Sequence, residues 1–187
     1  MARSAPRERI IESARDLFRK HGIRGVGVDA IAEAAGTNKM TLYRHFASKD
    51  ELVAEYLRTL AQQSETIWDR LAAAHPGNAR AQLRAWLKEM AEHVEASDER
   101  GCALANAAIE LPEKDHPARR VIEQCKCAQR ERLISLCRAA GLSDPELLAD
   151  ELFLILEGAR VTAQSMGPEG PSARLVRMGE VLIASHS

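Results

Sequence analysis

Residues 38–49 bring together side chains that donate hydrogen bonds, several of them positively charged. Lys39 can donate to guanine O6 or N7, and Thr41 offers a hydroxyl or a methyl group to thymine. Tyr43 and His45 suit phosphate oxygens, contacts that position a protein on a duplex without reading its sequence. This stretch therefore favours binding to a nucleic acid. The candidate contact residues are Gly27, Asn38, Lys39, Thr41, Tyr43, Arg44, His45 and Lys49.

A helix over residues 28–35 precedes most of these side chains. Ile31, Ala32 and Ala35 share one helical face, as in a helix whose apolar side is buried. Gly36 follows them, at the position where helices commonly end in a left-handed conformation. The sequence therefore predicts a short helix that ends in a tight turn.

A second short helix, over residues 38–46, carries most of the candidate contact residues. Thr37 or Asn38 can cap it by accepting a bond from a free backbone N–H. Leu42 and Phe46 lie one turn apart and point towards the preceding helix, which leaves the opposite side to solvent or to a partner. A short helix braced from behind in this way is the arrangement that enters a DNA major groove.

Capping signals place helices on both sides of this pair. Ser48 and Glu51 form the S-x-x-E pattern of a capping box, and the N–H groups at this helix end can also bind a phosphate. Upstream, apolar residues keep helical spacing from residue 10 to residue 18. Gly22 follows that stripe, so we expect a first helix over about 6–21.

Four motifs follow one another in residues 27–52. They are Ile31-Ala32, Ala35-Gly36, Leu42-Tyr43-Arg44-His45-Phe46 and Ser48-Lys49-Asp50-Glu51-Leu52. This succession resembles the helix-turn-helix of the tetracycline-repressor (TetR) family of bacterial transcription regulators. The resemblance implies a DNA-binding domain over 1–47 and a helical effector-binding and dimerisation domain over 48–187. It also implies a homodimer on a palindromic double-stranded DNA operator, released by a small-molecule effector.

Gly27 departs from the family pattern. The family usually has Thr or Ser just before the first of these two helices, where the hydroxyl caps the helix and touches phosphate. Gly is acceptable at a cap position with only a small loss of stability, but it lacks the hydroxyl.

Charge is unevenly distributed along the chain. Residues 1–50 hold ten Lys or Arg against six Asp or Glu, and the remaining residues hold 16 against 21. A basic N-terminal region on an acidic body fits a region that binds a polyanion, and it argues against a body that wraps DNA. No apolar run approaches a membrane span, and the charged start does not fit a signal peptide, so we expect a cytoplasmic protein without membrane contact.

The rest of the chain has the spacing of further helices, and no stretch alternates as a strand would. With the first three, this gives an all-α fold of about nine helices. Asp144 with Pro145 is expected to cap and open the eighth helix. The predicted ranges are 48–74, 79–96, 102–111, 116–140, 145–166 and 172–185.

The last two predicted helices carry apolar stripes that could close the core of one chain or pack on a second copy as a four-helix bundle. The TetR resemblance favours the dimer. The residues expected at that interface are Leu152, Ile155, Ala159, Ala163, Leu175, Met178 and Leu182.

The middle helices would then hold an effector pocket, mainly apolar with a few placed polar groups. For each candidate, ordinary core packing is the competing interpretation. The candidate lining residues are Trp68, Trp86, Met90, Cys102, Asn106, Cys125 and Leu156.

Three other functions compete with this one. An enzyme is disfavoured because no His or carboxylate pattern has metal or nucleophile spacing, so we expect no catalytic residue, metal or cofactor. A thiol-redox or metal sensor would use the four cysteines, which form no C-x-x-C pair. The third is an architectural DNA protein without an effector. For the regulator itself, the sequence leaves open whether it is an activator rather than a repressor. The cysteines are Cys102, Cys125, Cys127 and Cys137.

Overall fold

The structure is a computed structural model that describes residues 5–96 and 101–187. These residues form nine α-helices and one short 3-10 helix and contain no strand, which confirms the all-α prediction. The helices are α1 (Pro6–His21), α2 (Val28–Ala34), α3 (Lys39–His45), α4 (Lys49–Ala74), α5 (Ala79–Ala96), α6 (Ala103–Glu110), α7 (Pro117–Ala139), α8 (Pro145–Met166) and α9 (Leu175–Ser185).

Local sequence signals predicted most helix ends to within one or two residues of their positions in the structure. α4 runs unbroken from Lys49 to Ala74, as predicted. The last predicted helix is different, because its first turn, Pro171–Arg174, is a 3-10 helix and α9 begins only at Leu175.

Asp144 does not cap α8 as predicted. Its backbone is left-handed, with φ 44° and ψ 57°, and its side chain accepts no capping hydrogen bond. A capping side chain reaches the free N–H groups from an extended backbone, and the left-handed turn removes that geometry. Asp is one of the few non-glycine residues that tolerates this conformation.

The contacts divide the chain into two compact units. The first comprises the residues up to Gln62 together with Ala103–Gln124. Its core is built around α1, whose Ile10 and Ala14 are fully buried, and the rings of Phe18 and Tyr56 pack 5.5 Å apart. The first unit therefore extends beyond the predicted 1–47 domain to take in α6 and the start of α7.

Polar contacts attach the α6–α7 connection to the N-terminal helices within the first unit. The backbone N–H of Arg24 donates to Glu110 at 3.0 Å, and its guanidinium donates to Glu113 at 3.1 Å. The ring of His116 lies 3.4 Å from the Asp50 carboxylate at the start of α4. No local sequence signal indicated these pairs, which join residues about 65 to 90 positions apart.

The second unit comprises Gln63–Cys102 and Cys125–Ser187. Its core takes one apolar stripe from each helix, including the fully buried Leu83, Leu133 and Leu152. α5 and α9 approach closely because α9 presents Gly179 to Leu87. Within the described residues, no helix is long and apolar enough to cross a membrane.

We predict that Gly179→Ala destabilises the protein by about 1–2 kcal/mol. A Cβ at residue 179 would lie 2.4 Å from a methyl carbon of the buried Leu87, so the packed core must shift, and the helix preference for Ala recovers only part of that cost. Denaturant unfolding followed by circular dichroism measures the difference. Ser185→Ala, at an exposed position of α9, is the control and should change stability by less than about 0.5 kcal/mol. Equal stability of the two variants would contradict this packing.

Candidate nucleic-acid interface and ligand cavity

The turn between α2 and α3 is a Schellman motif. Gly36 is left-handed, with φ 62°, and its N–H donates to the Glu33 carbonyl at 2.9 Å. The N–H of Thr37 donates to the Ala32 carbonyl, also at 2.9 Å. These bonds satisfy the last carbonyls of α2 and fix the direction in which the chain enters α3. The predicted role of Gly36 is confirmed.

Asn38 is the cap of α3. Its side-chain oxygen accepts a hydrogen bond from the Thr41 backbone N–H at 2.9 Å, with an extended backbone at Asn38 itself. The structure therefore uses this candidate contact residue to begin the helix, and Thr37 is not the cap.

One face of α3 is buried and the other is open. Leu42 is completely buried and Phe46, just after the helix, is 3% exposed. On the open side Met40 is 76% exposed and Tyr43 is 45% exposed. Arg44 and His45 are also exposed, and Thr41 is half-buried. The helix thus presents an open face with polar, cationic and apolar side chains, and an α-helix fits into a major groove.

Two arginines of α1 hold this helix pair from behind. Arg9 donates to the Ala35 carbonyl at 3.2 Å, at the end of α2. The guanidinium of Arg7 lies 5.4 Å from the centre of the Phe46 ring and 2.5 Å from the Glu55 carboxylate. The hydrogen bond from Arg7 is the main reason that the pKa of Glu55 is lowered. Sequence reasoning did not identify either of these bracing contacts.

Lys39 has an acidic partner that the sequence did not reveal. Its ammonium lies 3.2 Å from the Asp29 carboxylate on α2, and both side chains are more than half exposed. Any base or phosphate that binds Lys39 must compete with Asp29.

Lys49 is directed inward rather than to solvent. Its ammonium donates to the Ile23 carbonyl at 2.6 Å, and burial lowers its pKa. Beside it, the Ser48 hydroxyl accepts from the Glu51 N–H at 3.1 Å and caps α4, as predicted. The Glu51 carboxylate binds Arg58 at 2.9 Å.

Gly27 occupies the cap position of α2 with an extended backbone, φ −86° and ψ 158°. A Cβ built on it meets nothing within 4 Å. The site therefore has room for the Thr or Ser that the resemblance leads one to expect, and only the hydroxyl is missing.

A cavity of about 50 Å³ lies in the second unit, where α4, α5, α7 and α8 converge. The rings of Trp68 and Trp86 stack at 5.8 Å, with 9° between their planes, and form a flat part of its wall. Gln129 donates to the Ser64 hydroxyl at 3.1 Å, which gives the wall a polar part. The lining residues are Ser64, Ile67, Trp68, Trp86, Met90, Gln129, Leu133, Phe153, Leu156 and Arg160.

A charged cluster borders this cavity. Oε1 of Glu157 lies 2.8 Å from the Lys126 ammonium and 2.5 Å from the Arg160 guanidinium. Burial disfavours the charged form of Glu157, but the two cations outweigh it and lower its pKa. Lys126 also lies 5.3 Å from the centre of the Phe153 ring.

Four of the seven candidate lining residues, Trp68, Trp86, Met90 and Leu156, are in the cavity wall. The lining does not include Cys102 or Cys125, although both belong to the same unit. Asn106 is half-buried on α6, in the first unit.

Two of the four cysteines, Cys125 and Cys137, are buried. Burial raises the pKa of Cys125 and raises the pKa of Cys137 to about 11, so both thiols stay protonated and poorly nucleophilic near neutral pH. Among the described residues, no three His, Cys, Asp or Glu are grouped so that they could hold a metal.

The residues expected at a dimer interface divide by exposure. Leu152, Leu175 and Ala159 are covered by their own chain, with 0%, 2% and 7% exposure, so their side chains are unavailable to a partner. Ile155, Ala163 and Leu182 are half-buried and Met178 is 49% exposed. A second apolar row on α8 and α9 lies outside the core instead. Its exposed members are Leu147, Leu154, Val161, Met178 and Val181.

Comparisons with known proteins place this arrangement in one class. The sequence profile of bacterial regulatory proteins of the tetR family matches residues 10–56, which include most of α1 and all of α2 and α3. A TetR transcriptional regulator from Streptomyces avermitilis is 31% identical, with a TM-score of 0.81 and 98% of each chain covered. A TetR-family regulator from Streptomyces coelicolor is 27% identical, with a TM-score of 0.91, over 97% of this chain and 96% of that one.

A relative whose role is named points the same way. The HTH-type transcriptional repressor DhaR of Mycobacterium sp. (strain GP1) is 28% identical over 171 residues, 85% of this chain and 82% of DhaR. An all-α chain with an exposed recognition helix in a helix-turn-helix is a DNA-binding regulator. The chain belongs to the TetR family of bacterial transcription regulators.

We predict that Asp29→Asn tightens DNA binding by about 2–5-fold, the size expected for one exposed ion pair, because Lys39 is released and a negative charge near phosphates is removed. Fluorescence anisotropy with a labelled operator duplex measures it. Asp16→Asn makes the same charge change at the exposed Arg15 pair on α1 and is the control. An equal gain from the two variants would mean that only net charge matters.

Proposed function

We propose that this protein is a cytoplasmic, ligand-responsive repressor that binds a palindromic operator as a homodimer and leaves it when a small molecule occupies the cavity. The observation that carries the proposal is the braced α3, whose buried Leu42 and Phe46 turn a polar and cationic face outward. The activity is binding and release of DNA, with no catalytic step.

Within α3 we assign different roles to different contacts. Lys39 and Thr41, near the helix start, read base edges, since helix-turn-helix proteins present that end to the major groove. Tyr43, Arg44 and His45 bind phosphates, which set position and affinity. Gly27 and Asn38 contribute backbone N–H groups and helix capping near the DNA.

Lys49 is assigned a supporting role rather than a direct one. Its ammonium is held by the Ile23 carbonyl at the α1–α2 turn. It supplies positive charge near the backbone of the duplex and joins α4 to that turn.

For the homodimer we propose an interface formed by the exposed apolar row of α8 and α9. Leu147, Leu154 and Val161 recur every seven residues on α8, and Val181 on α9 is 62% exposed. Gly158 is exposed within this row and would let a partner helix approach closely. Two such helices from each chain form a four-helix bundle. The buried residues Leu152, Ala159 and Leu175 support this surface from beneath.

Effector release is proposed as a population shift. A ligand that enlarges the cavity in the second unit can do so by displacing α4 or α7, and both are continuous helices whose N-terminal parts belong to the first unit. Release requires the ligand to bind the released form more tightly by a few kcal/mol. The elevated pKa values of Cys125 and Cys137 disfavour these two buried thiols as the switch.

Genome-wide footprinting of the purified protein tests the proposal as a whole. We expect a small number of palindromic sites with half-sites about one helical turn apart. Binding spread evenly over the genome would instead support an architectural protein, and no protection at modest salt would refute the DNA-binding role.

We predict that Lys39→Ala and Tyr43→Ala affect DNA binding differently. Lys39→Ala should relax the preference at one base pair per half-site, with a cost of about 1–3 kcal/mol on the preferred base. Tyr43→Ala should weaken binding to all duplexes about equally, because a phosphate contact carries no sequence information. Selection from a randomised half-site followed by sequencing gives both readouts. Unchanged selectivity for Lys39→Ala would show that it is not a reader.

We predict that the double change Leu154→Glu with Val161→Glu yields monomers, because burying two unpaired carboxylates at an interface is unfavourable. Light scattering after size-exclusion chromatography gives the mass. Ile109→Glu, at an apolar α6 position that is 79% exposed, is the control and should stay dimeric. A double variant that remains a dimer would remove α8 from the interface.

A further inference from the structure

The cavity wall is mostly apolar and carries a single charged residue. Among the described lining residues only Arg160 is ionised, and the other polar members are Ser64 and Gln129. Trp68 and Trp86, both less than 10% exposed, offer a flat aromatic surface. Such a wall suits a small ring rather than a flexible chain, since a rigid flat ligand gains contact area at little entropic cost.

The guanidinium of Arg160 has one strong partner and one weak one. Its Nη1 binds Glu157 at 2.5 Å, whereas its Nη2 lies 4.0 Å from the Met90 sulfur. A thioether is a weak acceptor. The side of the guanidinium that faces Met90 is therefore the side on which a better acceptor would be bound.

The cluster of Lys126, Arg160 and Glu157 beside the cavity has a net positive charge. Lys126 and Arg160 share one oxygen of Glu157, and all three side chains are only 19–26% exposed. The neighbouring acids Glu65 and Asp150 are held elsewhere, by Arg132 and Arg130. Among the residues that the structure describes, one positive charge of this cluster is left without a carboxylate in a poorly hydrated place, where it favours an anion and disfavours a cation.

We propose that the cavity binds a small aromatic carboxylate, with its ring on the Trp68 and Trp86 surface and its carboxylate on Nη2 of Arg160. The Ser64 hydroxyl accepts from Gln129, so its own proton can be donated to the second carboxylate oxygen. The inference rests on the proposed function only in taking this cavity as the effector site.

Ligand entry must enlarge the cavity. About 150 Å³ holds one benzene ring in a protein core, three times the volume present. Met90 has three rotatable bonds and is the side chain most able to move. When Met90 turns away, the acid replaces its sulfur as the partner of Arg160, so the opening of the cavity and the recognition of charge are one event.

Tryptophan fluorescence reads binding directly, because the chain has two tryptophans and both are in the cavity wall. The probes are phenylacetate, 2-phenylethanol and 2-phenylethylamine, which have the same ring and differ in charge. We expect phenylacetate to bind at least about 10-fold more tightly than the other two, the gain of one charge-assisted hydrogen bond. An alcohol or amine that binds as tightly, or no saturable signal from any probe, overturns the proposal.

Two variants with opposite expected effects on acid binding provide a second test. Arg160→Gln should remove the preference for the acid, and Glu157→Gln should strengthen acid binding because it removes the competing carboxylate. Arg138→Gln changes an exposed pair with Glu146, outside the cavity wall, and is the control. Thermal melts verify folding of each variant. If Arg160→Gln folds and keeps the preference, or if Glu157→Gln weakens acid binding, the assignment fails.

These experiments distinguish a failure of the ligand inference from a failure of the proposed function. A protein that binds its footprinted operator but shows no acid preference refutes the ligand class and leaves the repressor proposal standing. A protein that prefers the acid but binds no operator refutes the repressor proposal and leaves the ligand class standing. Release of the operator by phenylacetate, and not by the alcohol, supports both.

Discussion

The burial of Leu42 and Phe46 against the preceding helices is the constraint on which the DNA-binding surface depends. Seven residues of helix are too few to be stable in water by themselves, so tertiary contacts must hold α3 in place. The Gly36 turn fixes the direction in which the chain enters α3, and Asn38 caps the first turn of the helix. Arg9 of α1 binds the Ala35 carbonyl at the end of α2, and Arg7 of α1 lies over the Phe46 ring. Only a helix held from several sides can present side chains to base edges reproducibly.

The helix-turn-helix could be predicted from sequence because its signals are local. A capping amide three residues before its partner N–H, a glycine at a left-handed turn and an apolar pair one turn apart are all visible in a short window. The same holds for most helix ends in the second unit. Asp144 was the exception, because an N-cap residue type was identified without knowledge of its backbone angles.

The faces of α8 and the cavity could not be predicted in the same way. α8 is apolar on two sides, with Leu148, Leu152 and Leu156 buried in its own chain and Leu154 and Val161 exposed. Helical spacing detects both rows but cannot say which belongs to the core, and three of the residues predicted for the interface are buried in their own chain. The cavity wall comes from four helices, and the contact between Ser64 and Gln129 joins residues 65 positions apart, so their meeting is a property of packing.

The pair formed by Asp29 and Lys39 has a consequence for discrimination among DNA sequences. In the reading role proposed for Lys39, a duplex that lacks a suitable acceptor at the matching base leaves Lys39 paired with Asp29, so its charge is not available to the DNA. On a duplex with a guanine in that place, the two acceptors O6 and N7 together can outcompete one exposed carboxylate. Under that proposal the internal partner acts as a threshold that weakens binding to mismatched sequences and costs little at the matching one.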